Sequence, residues 1–170
     1  MARTTTPPKN IVTPASEARG KTRLTGKIAK AFAKLFENGA PSRPTFPLFV
    51  SDVVPFGVTD ERLLFLAASA EARNFHVFGR TIVAEAIARG IAPSESHGFA
   101  STAGRGIAAT VDGHKITCGN RKSIDENCTA LTPEQSEQVE RLHVQGKTVI
   151  LVADGEECIG AIALTVKRRF

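Results

Sequence analysis

The chain predicts an α+β domain, a mostly antiparallel sheet of about six strands covered by helices that arrive in pairs. Three observations carry this. Short apolar runs are joined by Asp-Gly pairs, the helical stretches have their own start and stop residues, and 42% of the 170 residues are apolar, enough for one real core.

Residues 1–45 stand apart from that core. They hold nine Lys/Arg against Glu17 and Glu37, a balance of +7, which leaves 13 basic and 15 acidic residues, or −2, for 46–170. The net +5 therefore belongs to an extension and not to the domain. A mildly acidic domain with no Trp or Tyr offers little to track a phosphate backbone or stack bases, so nucleic acid is not expected as a partner. Residues 1–20 are rich in Thr, Pro and Ala, a composition that does not repay ordering. Leu24, Ile28, Ala31, Phe32 and Leu35 then recur at helical spacing opposite Lys27, Lys30 and Lys34, which predicts a short basic amphipathic helix ended by Gly39 and Pro41. Two readings of the segment 21–38 stay open: a helix docked on its own domain, or adhesion to a protein partner or an anionic membrane surface.

The domain begins at 46. Pro47 to Pro55, with Phe49, Val50, Val53 and Val54, reads as the first strand. Thr59 and Asp60 cap a helix whose Leu63, Leu64, Leu66, Ala67 and Ala70 are apolar nearly all round, as a buried helix requires. A second helix follows, with Ile82, Val83, Ala86 and Ile87 as one stripe and Gly90 as its stop, completing a hairpin. From Phe99 to Cys118 the chain reads as strands: one entering the Gly104–Gly106 turn, then Ile107–Val111 and Lys115–Cys118 around Asp112-Gly113, where both turn residues tolerate positive φ. Gly119-Asn120 leads into a short helix. Thr132, Pro133 and Gln135 supply an N-cap, a first helical residue and a capping-box partner for a helix ending at Gly146. Lys147–Ala153 and Cys158–Val166 form the last hairpin around Asp154-Gly155.

Cys118, Cys128 and Cys158 are odd in number and far apart, which argues against a disulfide framework and for a reducing, cytoplasmic location. No CxxC, HxH or HxxxH spacing brings soft ligands together, so no metal is predicted. No apolar run approaches the roughly 18 residues needed to span a bilayer, and a soluble chain is expected.

The run Asn74-Phe75-His76-Val77-Phe78-Gly79-Arg80-Thr81-Ile82-Val83, then Gly104-Arg105-Gly106, then Cys118-Gly119-Asn120, is the informative pattern. Each part has a plain reading: a histidine near a helix start is commonly a cap, a GxG a simple turn, a Gly-Asn pair a strand end. In order and spacing they resemble the nucleotide-binding (N) domain of heavy-metal, copper/zinc type P-type ATPases. In that family an SEHPL segment opens a helix, a GxG turn leads into a strand, and a GN pair closes the site. Ser51–Pro55 followed by Leu63–Ser69 resembles the family's entry strand and LLxLAAS helix, and Gln145–Val149 with Gly160–Leu164 resembles its GKTV and GxIAL hairpin. The likeness covers about 48–165.

The resemblance implies a twisted, mostly antiparallel six-stranded sheet flanked by helical hairpins, and a site for ATP or ADP. His76 matches the histidine that contacts adenine. Gly104 and Gly106 match the turn whose backbone approaches the nucleotide, Ile107 packs on the base, and Gly119 and Asn120 lie near ribose and phosphates. Arg105 would add charge toward the phosphates. Two departures from the pattern flank the histidine: the glutamate before it is Phe75, and the proline after it is Val77. Phe75 stacks but accepts no hydrogen bond, a loss of about 1.5–3 kcal/mol or ten- to a hundred-fold in affinity. Glu71, close in sequence, is the candidate to substitute in part.

Phosphoryl transfer in such pumps uses an aspartate in DKTGT, magnesium-binding aspartates and a TGE loop, and this sequence contains none of these motifs. The expectation is a stand-alone, non-catalytic nucleotide-binding module acting as an accessory or sensor. The alternative is a degenerate domain repurposed for protein or membrane interaction through its N-terminal segment, and a third is a piece of a whole pump.

Overall fold

The computed structural model describes residues 48–167. The extension 1–45, its basic helix and Pro47 of the first strand lie outside the described residues. The elements are β1 (Leu48–Pro55), α1 (Asp60–Glu71), α2 (Val77–Ala88), β2 (Ser96–Thr102), β3 (Gly106–Val111), β4 (His114–Gly119), α3 (Arg121–Asn127), α4 (Pro133–Val144), β5 (Thr148–Asp154) and β6 (Glu157–Val166). One six-stranded sheet runs β1-β6-β5-β4-β3-β2, and all five pairings are antiparallel.

Alternation along the strands gives the sheet two apolar faces. On one, Ile107, Ala109, Val111, Ile116, Cys118, Val152, Ile162 and Leu164 pack against Leu63, Leu64, Leu66, Ala67 and Ala70 of α1 and Ile82, Val83 and Ala86 of α2. On the other, Val149, Leu151, Ala153, Ala161 and Ala163 meet Ile124 of α3 and Val139 and Leu142 of α4. The tight approach of α1 to β6 rests on Gly160, where a Cβ would overlap the Leu63 side chain.

The caps are as the sequence reads them. Thr59 Oγ1 accepts from the Arg62 amide, and Thr132 and Gln135 close a reciprocal capping box. Asp112 and Gly113 have φ of 49° and 81°, the positive values a two-residue hairpin turn requires. Two details differ from expectation. Strand β2 begins at Ser96 rather than near Phe99, because it is an exposed edge strand with no apolar alternation to announce it. Ile87 leaves the buried stripe of α2 and is 43% exposed, since the sheet covers only the arc holding Ile82, Val83 and Ala86.

Candidate functional site

The close approach of β3 and β4 creates the site. Gly106 and Gly119 are partners in the register, and a Cβ on Gly106 would overlap the Cys118 carbonyl and Gly119 Cα. Gly106 also has φ of 138°, which favours glycine. Asn120 then locks the turn from the far side: its amide donates to the Arg105 carbonyl at 3.0 Å, its side-chain Nδ2 to the Gly104 carbonyl at 2.7 Å, and its Oδ1 accepts from the Ser123 amide at 3.0 Å as the α3 N-cap.

Facing this turn is the α1–α2 connection. His76 is the N-cap of α2: its Nδ1 accepts from the Phe78 amide at 3.3 Å, so in the neutral ring the proton sits on Nε2, a donor with no partner among the described residues. The ring meets Phe78 edge-on, centroids 4.6 Å apart. Asn74 Oδ1 accepts from the His76 amide at 3.0 Å, and Asn74 Nδ2 donates to Glu71 Oε2 at 2.6 Å.

Between these walls lies a cleft of about 340 Å³. Seven of the eight residues singled out from sequence line it: His76, Gly104, Arg105, Gly106, Ile107, Gly119 and Asn120. Phe75 does not. It precedes the cap, stands 79% exposed and is not part of the cleft lining. Glu71, at the end of α1, lines the cleft instead and is only 3% exposed. Burial pushes its carboxyl up to about 7, with the Asn74 hydrogen bond opposing. Cys118 on β4 forms part of the wall, its thiol held well above the usual range by burial and then by Glu71. Sequence reading missed Asn74, Phe78 and the start of β5 at Thr148, Val149 and Ile150, all of which line the cleft.

Arg105 belongs to the wall, yet its guanidinium pairs with Glu126 on α3. The charge expected to face phosphates is thus already engaged. Among the described residues no three His, Cys, Asp or Glu side chains are grouped as a metal site, and no helix is long and apolar enough to cross a membrane.

Comparison with known proteins gives this geometry its relatives. The copper-exporting P-type ATPase B of Archaeoglobus fulgidus is 36% identical over 120 residues, 71% of this chain and 17% of that protein. The copper-exporting P-type ATPase of Bacillus subtilis is 34% identical over 122 residues, 68% and 14% respectively. A crystal structure of the N-domain of HMA8, a copper-transporting P-type ATPase, superposes with a TM-score of 0.61 at 29% identity, covering 69% of this chain and 99% of that one. Residues 48–167 form an N-domain of the heavy-metal P-type ATPase kind. A crystal structure of a zinc-transporting PIB-type ATPase matches with a TM-score of 0.64 at 26% identity, over 72% of this chain and 19% of its own. No protein-family model matches the chain. The chain spans about a sixth of the length of the curated relatives it matches. The N-domain fold implied by the motifs is therefore the fold observed, down to its six antiparallel strands and the two helical layers.

Proposed function

We propose that this N-domain binds an adenine nucleotide, ATP or ADP, in the cleft between the α1–α2 connection and the Gly104–Gly106 turn, and that these residues alone do not turn it over. The supporting observation is the convergence of His76, Gly104, Gly106, Ile107, Gly119 and Asn120, remote in sequence, on one cavity that also holds the buried carboxyl of Glu71. About 340 Å³ lies at the small end of ligand cavities, suited to a nucleoside whose phosphates extend toward solvent. Ile107 supplies an apolar surface for the base, Glu71 an acceptor or donor for its polar edge, and His76 Nε2 a further donor. With Arg105 paired to Glu126, little positive charge is left for the phosphates, and affinity is modest.

The copper or zinc transport of the relatives is a reading for a larger assembly, in which this domain would present nucleotide to phosphorylating machinery supplied elsewhere, on the cytoplasmic side. The test is a titration of ATP into isotopically labelled protein followed by amide shifts. Shifts at His76, Gly104, Gly106, Gly119 and Asn120 below millimolar ATP are expected, and their absence at millimolar ATP sinks the reading. A second reading, a domain that serves protein or membrane interaction, is favoured by Phe75 and Val77, both exposed on either side of His76 where the family has Glu and Pro. It predicts that deleting residues 1–45 abolishes partner or vesicle capture, and unchanged capture removes it.

A further inference from the structure

Asn74 stands where the family's SEHPL motif has serine, and its side chain does two jobs at once. The amide nitrogen reaches back to Glu71 Oε2 at 2.6 Å, while the amide oxygen takes the His76 backbone N–H at 3.0 Å. The backbone adds a third tie, Asn74 N–H to the Glu71 carbonyl at 2.8 Å. On the far side Gly79 of α2 leaves just the space Oε2 occupies, because a Cβ there would overlap that oxygen. Glu71 Oε2 is thus enclosed between Asn74 and Gly79. No described side chain or amide donates to Oε1, the one oxygen left to meet a ligand in the cleft that Glu71 lines.

We propose that Asn74 is the positioning residue for base recognition: it aims Glu71 Oε1 into the cleft and sets it in register with His76, so that the choice of base depends on an amide that never touches the ligand. This rests on the nucleotide-binding reading above. A carboxyl fixed through one oxygen offers a single point of recognition to a purine edge, and a swivelling carboxyl would satisfy several edges about equally. The same bond favours the ionised form of Glu71. The other titratable groups that line the same cleft are His76 from the α1–α2 connection, Cys118 from β4, whose thiol feels the Glu71 charge, and Arg105 from the β2–β3 turn.

Two variants separate the functions of the amide. Asn74→Ser keeps a hydroxyl that can accept from the His76 amide but cannot reach Glu71, and Asn74→Asp keeps the acceptor while facing Oε2 with like charge. The 170-residue chain is titrated with ATP and with GTP across pH, with the Glu71 side-chain carboxyl carbon followed by NMR and thermal unfolding as a control. Expected for both variants are a loss of about ten-fold in ATP affinity, a collapse of the ATP-to-GTP preference toward one, and a Glu71 titration midpoint moved upward, with the fold retained. Wild-type binding of ATP together with an Asn74→Ser variant of unchanged affinity, preference and midpoint would overturn the proposal alone. No wild-type binding at millimolar ATP would overturn both it and the reading beneath it.

Discussion

Replacing Glu71 by glutamine isolates the most unusual group in the domain. Its carboxyl is almost fully buried and titrates at about 7 rather than 4.5, so the native state holds a proton that the unfolded chain has released. The sign follows from linkage: where the native state binds more protons, stability falls as pH rises, here from the unfolded midpoint near 4.5 until the native midpoint near 7 is passed. At about 1.4 kcal/mol per pH unit, that interval amounts to about 3 kcal/mol of stability lost between pH 4 and pH 8. Glutamine has nearly the same shape, accepts the Asn74 hydrogen bond and does not titrate. The neighbours do not imitate the effect: Cys118 is held neutral by burial, and His76 and Arg105 are the same in both proteins. Urea unfolding of wild type and Glu71→Gln at about pH 4 and pH 8 is the assay. The variant is expected to match wild type at the acid end and to exceed it by about 2–3 kcal/mol at the alkaline end, while losing affinity for ATP. Parallel stability curves across that range would refute the raised carboxyl.

Four further outcomes are expected. Gly106→Ala destabilises by about 3 kcal/mol or more, since φ is 138° and the new Cβ meets the β4 backbone, whereas Gly104→Ala, with φ of 70° and open space, costs about 1 kcal/mol; thermal melts compare them. Lys147→Ala removes the 2.6 Å ion pair that holds the Asp52 carboxyl below its usual range, costing about 0.5–1 kcal/mol at neutral pH, a difference that shrinks as pH falls below the ordinary carboxylate midpoint and is gone once the depressed native midpoint is passed. AMP, ADP and ATP bind wild type within a few-fold of one another, and Glu126→Gln, by freeing Arg105, raises ATP over AMP by up to about ten-fold in calorimetry. His76→Asn keeps a capping side chain and loses the imidazole, so it retains the melting temperature but weakens ATP binding, while His76→Ala lowers both, the former by about 1 kcal/mol in stability.

Local chemistry made most elements legible. Thr132, Pro133 and Gln135 announce α4, and Asp112-Gly113 announces the β3–β4 hairpin, because each works within four residues of chain. What local chemistry does not hold is the pairing of β1 with β6, a contact between the two ends of the domain set by which apolar faces remain to be covered. The same limit explains the site. His76, Gly104, Gly106, Gly119 and Asn120 were found through an ordered motif, but motif adjacency put Phe75 beside the base. Phe75 is 79% exposed and does not line the cleft, while Glu71, at the end of the preceding helix, does line it and is tied to the turn by Asn74. Adjacency in sequence ranked the two the wrong way round for reaching the cleft.

That reversal bears on whether the cleft is used. Gly106, Gly119, Asn120 and the His76 cap serve the fold as well as line the cleft, and a domain that bound nothing would still use them. Glu71 is different. A carboxyl enclosed beside Cys118 and Phe78 destabilises the neutral-pH fold, and glutamine would fill the same space without that penalty. Asn74 and Gly79 are shaped around it, one supplying a donor and the other withholding a Cβ. An arrangement that lowers stability while fixing a polar group at the wall of a cavity is what a recognition site requires and what a core does not.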